Sequence, residues 1–143
     1  MKICPYGGEE ISDGEKHTCY WDNGQKRDEG TFENGEEEGK WNFWYDNGQK
    51  KKEGTFKNGK EEGKWNFWYD NGRKMAQESY KDGEKWGLTI HWHQNGKKAF
   101  EGGKVDGLYT WWHPNGQKAQ EITLKDELIL KKEKWNEDGS VKD

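Results

Sequence analysis

Residues 39–74 read GKWNFWYDNGQKKKEGTFKNGKEEGKWNFWYDNGRK, in which GKWNFWYDNGQK (39–50) returns as GKWNFWYDNGRK (63–74). The chain therefore repeats internally, and the repeat can be followed outward through its turns. Asn-Gly recurs at Asn23-Gly24, Asn47-Gly48, Asn71-Gly72, Asn95-Gly96 and Asn115-Gly116, in steps of 24, 24, 24 and 20, and Asp138-Gly139 follows 23 later. A second set, Asn34-Gly35, Asn58-Gly59 and Asp82-Gly83, falls between them. Asn-Gly and Asp-Gly tolerate the positive φ of a type I′ turn, so between alternating segments they mark β-hairpins. The intervening segments are rich in Trp, Phe, Tyr and Thr, as strands are, and none shows a 3.6-residue apolar period. The expected fold is all-β: an elongated single-layer antiparallel meander of repeated β-hairpins, about ten strands.

Two-residue turns throughout predict a register. Across Asn47-Gly48, Tyr45 faces Lys50, Phe43 faces Lys52, Trp41 faces Gly54 and Trp44 faces Lys51 on the opposite side. Across Asn58-Gly59, Lys52 falls beside Trp65 and Lys50 beside Phe67. One face then gathers Trp41, Phe43, Tyr45, Lys50, Lys52, Phe56, Trp65, Phe67 and Tyr69. The other carries Asn42, Trp44, Lys51, Glu53, Thr55, Asn66 and Trp68, polar apart from one Trp per repeat. Lysine stems lie over rings with their ammonium groups in water, and Trp over Gly54 shields backbone.

Composition agrees with a thin, ring-held structure. Only 28% of the 143 residues are hydrophobic and 36% are charged, but 10 Trp, 6 Tyr and 5 Phe argue against disorder. Too few aliphatic side chains exist for a two-layer core. The net charge of -4 removes the electrostatic case for nucleic acid or anionic lipid. No apolar run approaches the ~20 residues of a membrane helix. The first twenty residues hold no signal-like apolar stretch, so the expected location is cytoplasmic.

Along the array the Trp-Phe-Tyr column changes to Thr89, His91 and His93, then to Tyr109, Trp111 and His113. The last unit replaces rings with Ile122, Leu124, Leu128, Ile129 and Leu130 and reads as a C-terminal cap. Segments 39–74 and GLTIHWHQNGKKAFEGG (87–103) carry the pattern W-x-x-W/Y-Y/H-x-N-G-x-K…E-G-x-F-x-N-G…G-K-W. This pattern resembles the bacterial variant of MORN repeats, over about Tyr20 to Asp143. The resemblance implies a non-enzymatic interaction scaffold of β-hairpins, and an antitoxin of a toxin–antitoxin system or an immunity-like protein, with a toxin as protein partner.

Residues 1–19 form a separate N-terminal segment ahead of the array at 20–143. There ICPYGGEEI (3–11) looks like a zinc-ribbon knuckle whose second cysteine is Gly7, followed by HTCYW (17–21). Structural zinc needs four ligands, and only Cys4, His17 and Cys19 can be named. The preferred reading is a metal-free remnant; a Cys4–Cys19 disulfide and an incomplete metal site are the alternatives. His91 and His93 share a face, and His113 holds the equivalent place one repeat on, but strand spacing strains a shared ion. They read as replacements for Tyr45 and Tyr69. The runs Glu36-Glu37-Glu38 and Glu61-Glu62 read as solvated hairpin tips, and no catalytic constellation or cofactor is expected.

The aromatic face is therefore the candidate site: Trp41, Phe43, Tyr45, Trp65, Phe67, Tyr69, His91, His93, Tyr109, Trp111 and His113. An apolar strip rimmed by Lys and Glu suits a protein partner or a second copy of the chain as a homodimer. Stacking of sugars or single-stranded bases is the alternative use of such rings, with lipid attachment a third.

Overall fold

The computed structural model describes residues 13–103 and 106–143. Twelve strands follow one another: β1 (Lys16–Tyr20), β2 (Lys26–Glu33), β3 (Glu36–Trp44), β4 (Lys50–Lys57), β5 (Lys60–Trp68), β6 (Lys74–Lys81), β7 (Glu84–Lys85), β8 (Thr89–Trp92), β9 (Lys98–Gly102), β10 (Gly107–Trp112), β11 (Lys118–Lys125) and β12 (Leu128–Lys134). All belong to one sheet in the order β1-β2-β3-β4-β5-β6-β8-β9-β10-β11-β12, with β7 on β6. Every pairing is antiparallel. No helix occurs among the described residues. The meander is as the turns predict. It has more strands than expected because 84–92, equivalent to 60–68 one period earlier, is split at 86–88. The sheet also reaches back to Lys16, inside the segment set apart as 1–19. Cys4 and the knuckle at 3–11 lie outside the described residues.

The two sets of turns are built differently. At Asn34-Gly35 and Asn58-Gly59 both residues have positive φ (52° and 77°, 52° and 76°), and Asp82-Gly83 follows suit. These are two-residue type I′ turns. At Asn47-Gly48 only the glycine has positive φ, at 87°. The Gly48 N–H donates to Tyr45 O (3.1 Å) and the Tyr45 N–H to Gln49 O (2.8 Å). That is a type I turn followed by a glycine bulge, and it recurs at Gly24, Gly72, Gly96, Gly116 and Gly139. The expectation of two-residue turns throughout is corrected at these six positions.

The correction moves side chains between faces. Trp41↔Gly54 and Phe43↔Lys52 pair as predicted, but Trp44 pairs with Lys50, leaving Lys51 as the bulged residue. One extra residue reverses the alternation. Lys50 thus joins Glu53 on the second face (Nζ–Oε2 2.8 Å), while the Lys51 ammonium lies 5.7 Å from the Tyr45 ring on the first. Between β4 and β5, Glu53↔Asn66 and Thr55↔Glu62 set four steps on β5 against two on β4. Gly63, at φ 73°, absorbs the excess. Lys52 consequently faces Phe67 rather than Trp65, and Trp65 slides over Gly54.

This slide makes the core. Trp41 and Trp65 are 3% and 2% exposed although the sheet is one layer thick. Each indole lies flat on a glycine, Trp41 on Gly30 and Trp65 on Gly54, where a Cβ would sit 2.1 Å from ring carbon. Phe56 stands edge-on to Trp65 at 4.8 Å and Phe32 edge-on to Trp41 at 5.0 Å. The indole N–H groups donate to Thr31 O and Thr55 O. Buried ring area at about 25 cal/mol per Å2 supplies what the missing aliphatics cannot.

Candidate interaction surface

Each repeat is fastened to the next by the residue just past the end of β1, β3, β5, β8 or β10. Trp21 Nε1 donates to Trp44 O, Tyr45 Oη to Trp68 O and Tyr69 Oη to Trp92 O. His93 Nε2 reaches Trp112 O at 2.8 Å and His113 Nε2 reaches Trp135 O at 2.9 Å. The histidines substitute for tyrosine in a structural staple, with the proton on Nε2. Asn23, Asn47, Asn95 and Asn115 add a second staple, each amide donating to a carbonyl of the next repeat's turn. At the opposite end, the carboxylates of Glu38 and Glu62 accept from the turn amides of Asn58 and Asp82. Those members of the acidic runs hold the stack together, where simple solvation was expected.

The predicted face is therefore divided by use. Trp41 and Trp65 are core and offer a partner nothing. The polar tips of Tyr45, Tyr69, His93 and His113 are spent within the array. Phe43 is half-buried beside Trp41 (5.9 Å) and beneath the Lys52 ammonium (4.6 Å), which burial holds below the usual lysine range. Tyr109 and Trp111 stack on each other at 6.5 Å and pack on Phe100, whose ring also meets His91 at 5.8 Å.

Phe67, Tyr69, His91 and His93 do converge. They line one groove of about 320 Å3 with Met75, Ala76, Glu78, Trp92 and Ala99. Its lining departs from the residues 24 earlier, with Met75 for Lys51, Ala76 for Lys52, Glu78 for Gly54, His91 for Phe67 and His93 for Tyr69. Lys52 fills the space between Phe43 and Phe67, with which it pairs on its two sides. One period later Ala76 (76 − 24 = 52) stands between Phe67 and His91. Deleting the lysine stem opens the groove and leaves Ala76, 5% exposed, as its floor. Glu78 closes one end, in the place Gly54 holds one period earlier. Its carboxylate accepts from Tyr80 Oη at 2.5 Å, contacts His91 Nε2 at 3.1 Å and pairs with Lys85 at 3.3 Å. Burial alone drives the Glu78 pKa up, but these partners outweigh it and hold the carboxyl below its usual range. Burial and the carboxylate together push the Tyr80 phenol well above its usual value.

The second face carries a different column. Lys26, Lys50, Lys74, Lys98 and Lys118 lie 5.3–6.0 Å over the rings of Trp44, Trp68, Trp92, Trp112 and Trp135. Lys26, Lys50, Lys98 and Lys118 also pair with the glutamate three residues on. These rings are capped rather than offered. At the C-terminal edge Leu128, Ile129 and Leu130 are 65%, 58% and 63% exposed, so this part of the cap is open.

Sequence reading missed Met75, Ala76, Glu78 and Ala99, because it sought rings, and missed Trp92, because alternation assigned its column to the other face. Comparing residues 24 apart is the signal that finds the groove. No curated protein matches the chain. Segments 37–58, 61–82 and 105–126 each match the family described as the MORN repeat variant.

Proposed function

We propose that the array is a non-enzymatic protein-binding scaffold whose groove between Phe67 and His91 receives an apolar side chain of a partner. MORN repeats generally take part in protein or membrane binding. A net charge of -4 and a groove of about 320 Å3, sized for one or two side chains, favour protein over a lipid surface. The observation that carries the reading is the loss of the Lys52 stem at Ala76. A Phe or Leu inserted there would contribute about 1.5–3 kcal/mol, flanked by Glu78 for a partner's polar or basic group. The partner class that the repeat resemblance suggests is a toxin that docking would silence, with the array as its cytoplasmic antitoxin.

The test is Ala76→Lys, which restores the residue of the preceding repeat and so refills the groove without foreign chemistry. Tagged wild type and variant, matched in circular dichroism, are used side by side for affinity capture from the native host. A protein retained by wild type and reduced roughly tenfold or more by the variant supports the groove. The same proteins retained equally by both forms would show that binding lies elsewhere.

A further inference from the structure

The groove has a template for its occupant in the same chain. One period earlier, Lys52 stands half-buried between Phe43 and Phe67, its partners on β3 and β5. Its ammonium lies 4.6 Å from the centre of the Phe43 ring and 5.9 Å from that of Trp65. An apolar stem on rings, with the cation at the rim, is thus a fit that the array already uses.

A step of 24 residues carries Phe43 to Phe67, Phe67 to His91 and Lys52 to Ala76. The pairing agrees, since Ala76 stands between Phe67 on β5 and His91 on β8. A slot that holds a lysine in one repeat is therefore walled but unfilled in the next. The second ring is exchanged as well. Trp65 lies flat on Gly54, where a Cβ would sit 2.1 Å from the indole. One period on, the same two places hold Thr89 and Glu78 (89 − 24 = 65, 78 − 24 = 54). The two exchanges go together, because a side chain at 78 needs the indole at 89 to be absent. A ring face beside the ammonium has become a carboxylate whose side chain is 12% exposed.

That carboxylate has capacity for another donor. It offers about four acceptor sites, and Tyr80 Oη, His91 Nε2 and the Lys85 ammonium take three of them. The Lys85 side chain is 62% exposed and 3.3 Å away, a surface pair that gives way at little cost.

We propose that the groove recognises a lysine side chain of a protein partner, its stem on Ala76 between Phe67 and His91 and its ammonium held by the Phe67 ring and the Glu78 carboxylate. This rests on the groove being the docking site and narrows its guest: the stem supplies the apolar part and the ammonium the basic group. Phe or Leu would cover the carboxylate without giving it a partner, which costs binding energy. A basic contact also suits a chain of net charge -4.

A library of random peptides displayed on phage is selected on the full chain, with Ala76→Lys, whose own lysine fills the groove, as counter-selection. The expected peptides are retained by wild type, lost by Ala76→Lys and share a lysine. Resynthesised with norleucine, which keeps the stem and removes the charge, they are expected to bind wild type roughly tenfold more weakly, the loss of one charge-assisted hydrogen bond. Glu78→Gln, matched to wild type in circular dichroism, is expected to bind the lysine and norleucine forms alike. Norleucine binding as tightly as lysine to wild type, or selected peptides that share Phe or Leu instead, overturns the lysine assignment and leaves the groove as a docking site. A lysine preference that survives Glu78→Gln overturns it too. If no selected peptide distinguishes wild type from Ala76→Lys, the docking site falls along with its guest.

Discussion

A methyl group on residue 54 would meet the Trp65 indole at 2.1 Å, and that ring, 2% exposed between Phe43 and Phe56, has nowhere to retreat. Gly63 is constrained for another reason: its φ is 73°, yet nothing lies within 4 Å of an added Cβ. The two glycines should therefore respond differently to alanine. Gly54→Ala is expected to destabilise by about 3 kcal/mol, as overpacking at a rigid site does. Gly63→Ala is expected to lose about 1–2 kcal/mol, the cost of a left-handed conformation for a residue with a side chain. Denaturant midpoints at constant slope measure both. Equal losses would mean that backbone conformation, and not the Trp65 ring, is what glycine serves at 54. The Gly in the motif E-G-T-F was readable as ring-covered backbone, but Trp41 was assigned to Gly54. The bulge at Gly63, invisible to a pairing sum, hands that role to Trp65.

Turns decide how hairpins become repeats. Asn58 uses the positive φ for which Asn is suited, whereas Asn47 lends its side chain: Oδ1 accepts from the Gln49 N–H at 2.9 Å and Nδ2 donates to Asp70 O at 2.7 Å. Identical dipeptides thus perform two jobs, and their letters alone do not separate them. Flanking residues do, because Asn47-Gly48 closes a bulged loop and Asn58-Gly59 a two-residue one. The last type I′ turn breaks the rule, since Asp126 and Glu127 have φ of 51° and 64° with no glycine present. Glu127→Gly should therefore raise stability by about 1 kcal/mol, seen as a higher melting temperature. A lower one would show that the glutamate side chain outweighs its backbone strain.

As a whole the chain behaves as a one-dimensional stack, each hairpin touching only its neighbours in the sheet. Removing 45–68 joins Trp44 to Tyr69 and restores the repeated sequence across the junction. The shortened protein is expected to keep one cooperative transition with a denaturant slope smaller by about one-sixth, as 24 of 143 residues are lost. Loss of cooperative unfolding would show that the stack is not modular. The edges differ in how they end: β1 carries His17 and the disulfide-bonded Cys19, while β12 follows exposed Leu128–Leu130 with Lys131, Lys132, Glu133 and Lys134, charges that discourage pairing with another sheet.

Periodicity by itself determined the antiparallel meander, its strand-to-strand pairing near each two-residue turn and the presence of an aromatic column, because these depend on local turn chemistry and alternation. Only the tertiary structure decided which rings are core, which polar tips are spent and where a groove opens. Bulges shift side chains between faces by a residue at a time, and a buried Trp and an exposed one have the same letter. Positions that depart from the repeat, such as Ala76 and Glu78 within the groove, acquire their meaning from neighbours that the fold supplies.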